Sequence, residues 1–340
     1  MSTDEFEFSF QQQLENALLE EKAFVLFRKP GEEEVNLFVN EGTGSHRFLM
    51  HSFNSEMEKV ISTSIPTKIL QEKFQAKFRL NLNCAPELIS KTQKEYESLI
   101  QFTVDSLQNT ELQKVVISRL KVVDNPGFNW GESFAELLKA HPTALVFLWH
   151  NPGDETWLGA TPELLLKQKA NTVHTVSLAG TKLPDAEWTE KEYEEQKIVT
   201  DFIVANFSEV QNLEVMGPET VQAGKFQHLK TYISGEIPTG FPTDTLLKKL
   251  HPTPALCGMP KKKAFEFIQS NEGYERGFYS GYLGIESDDS KEYFVNLRSA
   301  QVFKDKIWIY VGGGITADSN PEKEWMETEL KSGTILNSLR

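Results

Sequence analysis

The sequence predicts an α+β protein whose core is a large antiparallel β-sheet sandwich flanked by helices. Short β-branched and aromatic runs follow one another through hairpin turns, without the long crossovers that parallel strands need. Aromatic residues are abundant, with 23 Phe and 6 Trp, which favours sheet packing. The 340 residues, 39% of them hydrophobic, are enough to bury a full core.

Each element is predicted from its periodicity. Apolar residues three and four apart predict helices over residues 8–22, 86–109, 131–139, 189–207, 243–250, 260–270 and 322–331. Alternating or β-branched runs predict strands over residues 23–28, 35–38, 114–120, 144–149, 156–160, 163–169, 172–178, 230–236, 278–285, 293–303 and 307–311. Residues 48–69 carry a weak signal and receive no assignment.

Charge and cysteine content exclude several classes of protein. The formal net charge is −14, which argues against nucleic acid or a membrane surface as partner. A local cationic pocket could still bind a small anion. Two cysteines cannot form a disulfide framework, and neither a signal peptide nor a spanning segment is visible. We therefore expect a cytoplasmic protein.

Two residues near strand ends are candidates for proton transfer. Lys114 opens an apolar strand, where it is either a solvated end or, facing a cleft near other cations, a general base. Glu163 follows a proline and heads another apolar strand, which is an awkward place for a charge without a partner. A partly desolvated carboxyl group is a good general acid.

The C-terminal stretch 299–331 combines glycines with a charged helix. Gly312, Gly313 and Gly314 follow a predicted strand, and such glycines let backbone N–H groups approach a ligand. On the next helix, Glu324, Glu327 and Lys331 share one face, which suits a metal beside an anion. A solvated helix with an ordinary Glu–Lys pair four residues apart fits the same pattern.

Further polar candidates lie elsewhere in the chain. Glu195, in an acidic helix, could join Glu327 to supply two carboxylates to Mg²⁺, which takes few protein ligands. His228 is a candidate for binding a substrate hydroxyl. The loop 251–258 contains two prolines and ends in glycine, so it suits shaping a pocket rather than moving protons.

Five blocks in order resemble the chorismate-utilising enzymes, which include anthranilate synthase component I, and most closely the isochorismate synthases. The blocks are residues 114–119, 159–165, 178–181, 251–258 with the helix after it, and 298–331. The resemblance covers residues 100–335 and implies the chorismate-binding fold. It implies a single domain over residues 1–340, with residues 1–100 packed on a catalytic core, and a monomer.

The resemblance also implies a role for each matching residue. Lys114 would activate water for attack at C2 of chorismate, and Glu163 would protonate the departing C4 hydroxyl. Glu195 and Glu327, with Glu324 in an outer position, would hold Mg²⁺. Positions that match substrate-binding groups are Ala179, Gly180, Thr181, His228, Ala255, Leu256, Arg298, Gly312, Gly313 and Lys331. The product would be isochorismate, for menaquinone or catechol siderophore synthesis.

Single positions distinguish this chain from related chorismate-utilising enzymes with other activities. Anthranilate synthases lack the lysine at position 114. Aminodeoxychorismate synthases carry a nucleophilic lysine where this chain has Ala179. Salicylate synthases share the lysine base and then eliminate pyruvate, but the Ala255–Leu256 pair resembles enzymes that stop at isochorismate. A salicylate synthase and an inactive chorismate-binding relative are the alternatives.

Overall fold

The computed structural model describes residues 3–88, 90–223 and 226–340, and its strands form two sheets. In chain order the strands are β1 (Phe24–Arg28), β2 (Glu34–Val39), β3 (His46–His51), β4 (Glu58–Thr63), β5 (Thr67–Leu70), β6 (Lys114–Asp124), β7 (Leu145–His150), β8 (Thr156–Thr161), β9 (Leu164–Lys169), β10 (Thr172–Lys182), β11 (Gln211–Ala223), β12 (Phe226–Glu236), β13 (Gly258–Met259), β14 (Tyr282–Glu286), β15 (Ser290–Val295), β16 (Ser299–Val302) and β17 (Lys306–Ile315). The helices are α1 (Thr3–Leu19), α2 (Gln93–Asn109), α3 (Trp130–Ala140), α4 (Glu190–Asn206), α5 (Thr243–Leu250), α6 (Lys261–Asn271) and α7 (Pro321–Leu336), with one 3-10 turn at Gln71–Lys73.

The first sheet has the strand order β13-β6-β17-β16-β8-β7-β1-β2-β5, and the second has β11-β12-β10-β9-β15-β14-β3-β4. Every pairing described is antiparallel, as the hairpin spacing predicts. The predicted α+β class is therefore confirmed.

The core between the sheets is mainly aromatic. Phe147 and Trp157 of the first sheet belong to the same buried cluster as Phe48 and Phe294 of the second. Alternation along each strand sends such residues to one face, and burial of their apolar surface holds the sheets together. Helices cover the outer faces: α1 and α3 pack on the first sheet, and α4 and α5 on the second. This is the predicted sandwich flanked by helices.

Residues 1–100 contribute strands to both sheets. Strands β1, β2 and β5 extend the first sheet, whereas β3 and β4 close the edge of the second. Because β1 pairs with β7 and β3 pairs with β14, this portion shares the backbone ladders of the rest of the chain. We propose on this basis that the chain forms one domain.

Three expectations from the sequence need correction. The helix predicted from residue 86 begins at Gln93, where Thr92 and Glu95 form a capping box. The run predicted as one strand over residues 293–303 is two strands, β15 and β16, in different sheets. The strand predicted from residue 278 begins at Tyr282. Apolar residues lie within or beside each of these breaks, so periodicity alone does not reveal them.

Candidate active site

A cavity of about 270 Å³ opens at one end of the sandwich. There β6 begins and β17 ends in the first sheet, while β10 ends in the second, and helices α4 and α7 close the sides. Of the site residues predicted from the sequence, those lining this cavity are Lys114, Glu163, Ala179, Gly180, Glu195, His228, Ala255, Leu256, Arg298, Gly312, Gly313, Glu324, Glu327 and Lys331. Thr181 follows Gly180 in β10, but its side chain lies outside the described residues.

Lys114 is the first residue of β6 and lines the cavity. It is only 4% exposed, and its Nζ lies 2.5 Å from Oε1 of Glu195 on α4. A Cβ at Gly314 would lie 2.7 Å from Cε of Lys114, so a side chain at position 314 would displace the lysine. The amine and its carboxylate partner thus occupy space that glycine leaves open.

The glycine run has a different place from the one predicted. Gly312, Gly313 and Gly314 do not follow the strand as a turn; they lie inside β17, opposite Ser118, Ile117 and Val116 of β6. The ladder continues because glycine can adopt extended backbone like any residue. A Cβ at Gly313 would lie 2.9 Å from Oε2 of Glu324, so these glycines make room for functional side chains.

Glu163 lies where the chain crosses from β8 in the first sheet to β9 in the second. Its backbone carbonyl accepts a hydrogen bond from the amide of Val295 (2.9 Å), which fixes the crossing. Burial raises the pKa of the Glu163 carboxyl from 4.5 to about 7, although Lys114, Arg298 and Lys331 lower it. Near neutral pH this group therefore carries a proton much of the time.

Arg298 occupies a second crossing, from β15 back to β16. Its φ is 50°, in the left-handed region that costs energy for a residue with a Cβ. The carbonyl of Arg298 accepts from the amide of Ala160 (3.1 Å), which ties this crossing to β8 near Glu163. Ser280, also in the cavity wall, has a φ of 58°. Two residues of the cavity wall thus have a left-handed backbone that a side chain disfavours.

Helix α7 supplies a carboxylate and an ammonium group. The Asn320 side chain caps the helix, and Pro321 begins it. Lys331 Nζ lies 2.5 Å from Oε1 of Glu327 and donates to the carbonyl of Gly312 (2.8 Å). Burial raises the pKa of Glu327, but Lys331, Arg298 and His228 outweigh it and leave the pKa below its ordinary value. Glu327 is therefore a carboxylate at neutral pH.

Three carboxylates line the cavity. Glu195 pairs with Lys114, Glu327 pairs with Lys331, and Glu324 accepts a hydrogen bond from Ser319 (2.9 Å). Within the described residues, no three His, Cys, Asp or Glu side chains are grouped closely enough to hold a metal alone. Carboxylate oxygens that also leave positions for water and substrate are, however, the donor set that Mg²⁺ uses. The side chains present therefore fit a hard divalent cation.

His228 and the loop 251–258 complete the wall. His228 Nδ1 donates to the carbonyl of Gly180 (3.1 Å), beside a register shift between β10 and β12, and burial lowers its pKa. Neutral His228 therefore carries its proton on Nδ1. In the loop, the carbonyl of Leu256 accepts from Arg276 (3.1 Å), which holds the apolar wall in place.

Several lining residues were missed by the sequence prediction. The polar ones are Glu192, Tyr279, Ser280, Tyr310, Thr316 and Ser319. Glu192 could have been found, since it lies one helical turn before Glu195. Tyr310 could also have been found, because it is two residues from Gly312 on the same face of β17. The sequence gives no signal for Tyr279 and Ser280, which lie in a turn.

The arrangement defines a class of protein before any comparison. A protonated carboxyl group and an amine reach one small cavity, as acid–base chemistry requires. Arg298 and Lys331 add positive charge in a protein with a net charge of −14, which suits an anionic ligand. The site has the features of an enzyme that performs proton transfer on a small carboxylate.

The family follows from comparison with known proteins. Residues 36–340 match the family model described as "Chorismate binding enzyme". The chain belongs to the chorismate-binding enzyme family, as the five sequence blocks predict.

Among its relatives is the isochorismate synthase MenF of Haemophilus influenzae, 30% identical over 245 residues. That alignment covers 68% of this chain and 57% of the relative, so the chain spans a little over half the length of the relative. The solved 2,3-dihydroxybenzoate-specific isochorismate synthase DhbC of Bacillus anthracis is 23% identical, with a TM-score of 0.79 over 96% of this chain and 99% of that one. The solved menaquinone-specific isochorismate synthase MenF of Escherichia coli is 21% identical, with a TM-score of 0.80 over 94% of this chain and 89% of that one. These two likenesses show the fold, which is the one that the resemblance implied.

The raised pKa of Glu163 predicts a dependence of stability on pH. The folded state holds this proton more tightly than the unfolded state, so the contribution of Glu163 is present below pH 4.5 and is lost as pH rises through about 7. The free energy of unfolding of the wild type should fall by about 2–3 kcal/mol relative to Glu163→Gln over this range. Denaturant unfolding at a series of pH values measures the difference.

Glu327→Gln serves as the control with opposite sign. Because the pKa of Glu327 is lowered, its contribution is present above the ordinary glutamate pKa and is lost on acidification. Parallel stability curves for the wild type and Glu163→Gln between pH 4.5 and 8 would contradict the raised pKa of Glu163.

Proposed function

We propose that this chain converts chorismate to isochorismate, and so is an isomerase. The observation that carries the proposal is that Lys114 and Glu163 face one cavity from different elements, together with Arg298 and Lys331. A base, an acid and two cations are what this reaction needs. Names of relatives that match the chain support the same activity.

The base in this proposal is Lys114. Its amine takes a proton from a water molecule, and the water oxygen attacks C2 of the substrate ring. The amine must be neutral to accept the proton, so it must first release any proton that it shares with Glu195. The buried position of Lys114 at the start of a rigid strand limits the directions from which water can reach it.

The acid is Glu163. As the new C2–O bond forms, the ring double bonds shift and the C4–O bond breaks, and Glu163 gives its proton to the departing hydroxyl. One water is consumed and one is released, so the overall change is an isomerisation. A carboxyl group with a pKa near 7 is protonated in a large fraction of the molecules at neutral pH and gives up its proton readily.

Cationic and backbone groups hold the substrate. Chorismate carries two carboxylates, for which Arg298 and Lys331 are the cationic partners in the cavity. The carbonyl of Gly312 positions the Lys331 ammonium, and Gly313 leaves space beside it. The remaining proposed contacts, to the ring and its hydroxyls, are Ala179, Gly180, Thr181, His228, Ala255 and Leu256.

Glu195, Glu327 and Glu324 would hold Mg²⁺. When bound, the ion would neutralise a substrate carboxylate in a cavity that already contains several glutamates. The proposal rests on the donor set described above and on the family's sequence pattern. Its product would supply menaquinone or catechol siderophore synthesis, the routes suggested by the specificities in the names of the structural relatives.

Replacing either proton-transfer group should stop turnover. We expect Lys114→Ala and Glu163→Gln each to lower kcat about 10²- to 10⁴-fold, the usual contribution of a general acid or base. Isochorismate formation from chorismate measures the effect. Lys121→Ala and Glu155→Gln are matched controls outside the cavity and should stay close to the wild type. Near-normal turnover in either cavity variant would overturn the acid–base assignment.

Removing divalent metal should also stop turnover. We expect excess chelator to abolish isochorismate formation and added Mg²⁺ to restore it, because the substrate carboxylate would otherwise face uncompensated glutamates. In Glu327→Gln, half-maximal activity should need about ten- to a hundredfold more Mg²⁺. Full activity in excess chelator would contradict the role proposed for the three glutamates.

A further inference from the structure

A second, much smaller chamber lies behind Glu163. Its volume is about 10 Å³, and among the described residues it shares only Glu163 and Leu178 with the main cavity. Apart from Glu163, Thr175 and Thr253, its lining consists of leucine, valine and isoleucine residues. Glu163 therefore separates a large polar cavity from a small apolar one.

Thr253 brings a hydroxyl group to this chamber. The residue is 6% exposed, and among the described residues its buried Oγ1 has no hydrogen-bond partner. The backbone of Thr253 is fully used: its carbonyl accepts from the amides of Leu256 and Cys257, each at 3.0 Å. A buried hydroxyl without a partner is unfavourable, so its persistence points to a ligand.

The other threonine in the chamber differs in this respect. Thr175 Oγ1 already donates to the carbonyl of Leu165 at 2.7 Å. Within the part of the chain that the structure describes, the polar side chains of the lining that make no hydrogen bond are therefore Thr253 and Glu163. A chamber of this size has room for one water molecule, provided that polar partners are present.

We propose that the chamber holds one water molecule, which accepts a hydrogen bond from the Thr253 hydroxyl and donates one to the Glu163 carboxyl group. Thr253 is then a positioning residue for the acid. The inference rests on the proposed function for its catalytic meaning, but the water site itself follows from the geometry alone. A small fixed water between two polar groups is a common way to satisfy both.

The water has a defined effect on Glu163. It binds the carboxyl oxygen that faces the chamber, so the acidic proton is carried by the oxygen that faces the main cavity. Once the proton has left, the same hydrogen bond stabilises the carboxylate. The charged groups that act on Glu163 across the main cavity are Lys114 of β6, Arg298 and Lys331 of α7, all of which also favour the carboxylate. Thr253 adds to them from the opposite side.

The test is a titration of Glu163 itself, which needs no turnover. The full chain labelled with ¹³C at glutamate carboxyl groups is followed by NMR, and Glu163→Gln identifies the Glu163 signal. In Thr253→Val, which keeps the shape but loses the hydroxyl, the midpoint should rise by about one pH unit. Thr253→Ser should restore the wild-type midpoint, and Thr175→Val is the matched control in the same chamber that should leave it unchanged.

A wild-type midpoint retained in folded Thr253→Val would overturn the proposal. If Thr253→Val does not fold, the wild-type protein decides: a crystal structure that resolves ordered waters should contain one between Thr253 and Glu163, and a dry chamber would contradict the inference. A shift in Thr253→Val without any conversion of chorismate by the wild type would leave the water site standing and remove the proposed function. Conversion of chorismate by the wild type, without a shift of the Glu163 midpoint in Thr253→Val, would leave the proposed function standing and remove the water site.

Discussion

The site depends on the way the chain crosses between the two sheets. One strand leaves the first sheet at Thr161 and enters the second at Leu164, and another leaves the second at Val295 and enters the first at Ser299. The amide of Val295 donates to the carbonyl of Glu163, and the amide of Ala160 donates to that of Arg298. Both crossings are thereby fixed at the seam of the sandwich, and the residues they carry, Glu163 and Arg298, line the cavity.

Electrostatics in the cavity follow from this position. Burial would by itself make every ionised group there unfavourable, and the groups respond in different ways. Glu163 has a pKa raised to about 7, whereas Glu327 has cationic neighbours and a lowered pKa. The pKa values of two carboxyl groups in one cavity are thus shifted in opposite directions, which is the pattern expected where one is an acid and the other a ligand for cations. The positive charge of Arg298 and Lys331 then acts locally, within an acidic protein.

The sequence predicted most of the elements because their periodicity is strong. The helix at Thr189 and the strand from Lys114 are examples, and both carry residues of the cavity. It could not predict the break at residues 296–298, since the β-branched and aromatic residues on both sides of it fit one strand. The left-handed φ of Arg298, where the chain changes sheet, is visible only in the structure. The sequence also could not place Gly312–Gly314 within a strand. Glycine is suited to Gly313 and Gly314 because Glu324 and Lys114, which belong to other elements, occupy the space that a side chain would fill. Most of the site residues predicted from the matching blocks line the cavity. The Lys114–Glu195 contact and the chamber behind Glu163 are visible only in the three-dimensional structure.

In the proposed reaction, water adds to C2 of chorismate while the hydroxyl at C4 leaves. Incubation of the full chain with chorismate and Mg²⁺ in ¹⁸O-labelled water, followed by mass spectrometry, tests this directly. We expect isochorismate with one labelled oxygen, in the hydroxyl at C2. Unlabelled isochorismate, salicylate with pyruvate, or unchanged chorismate would contradict it.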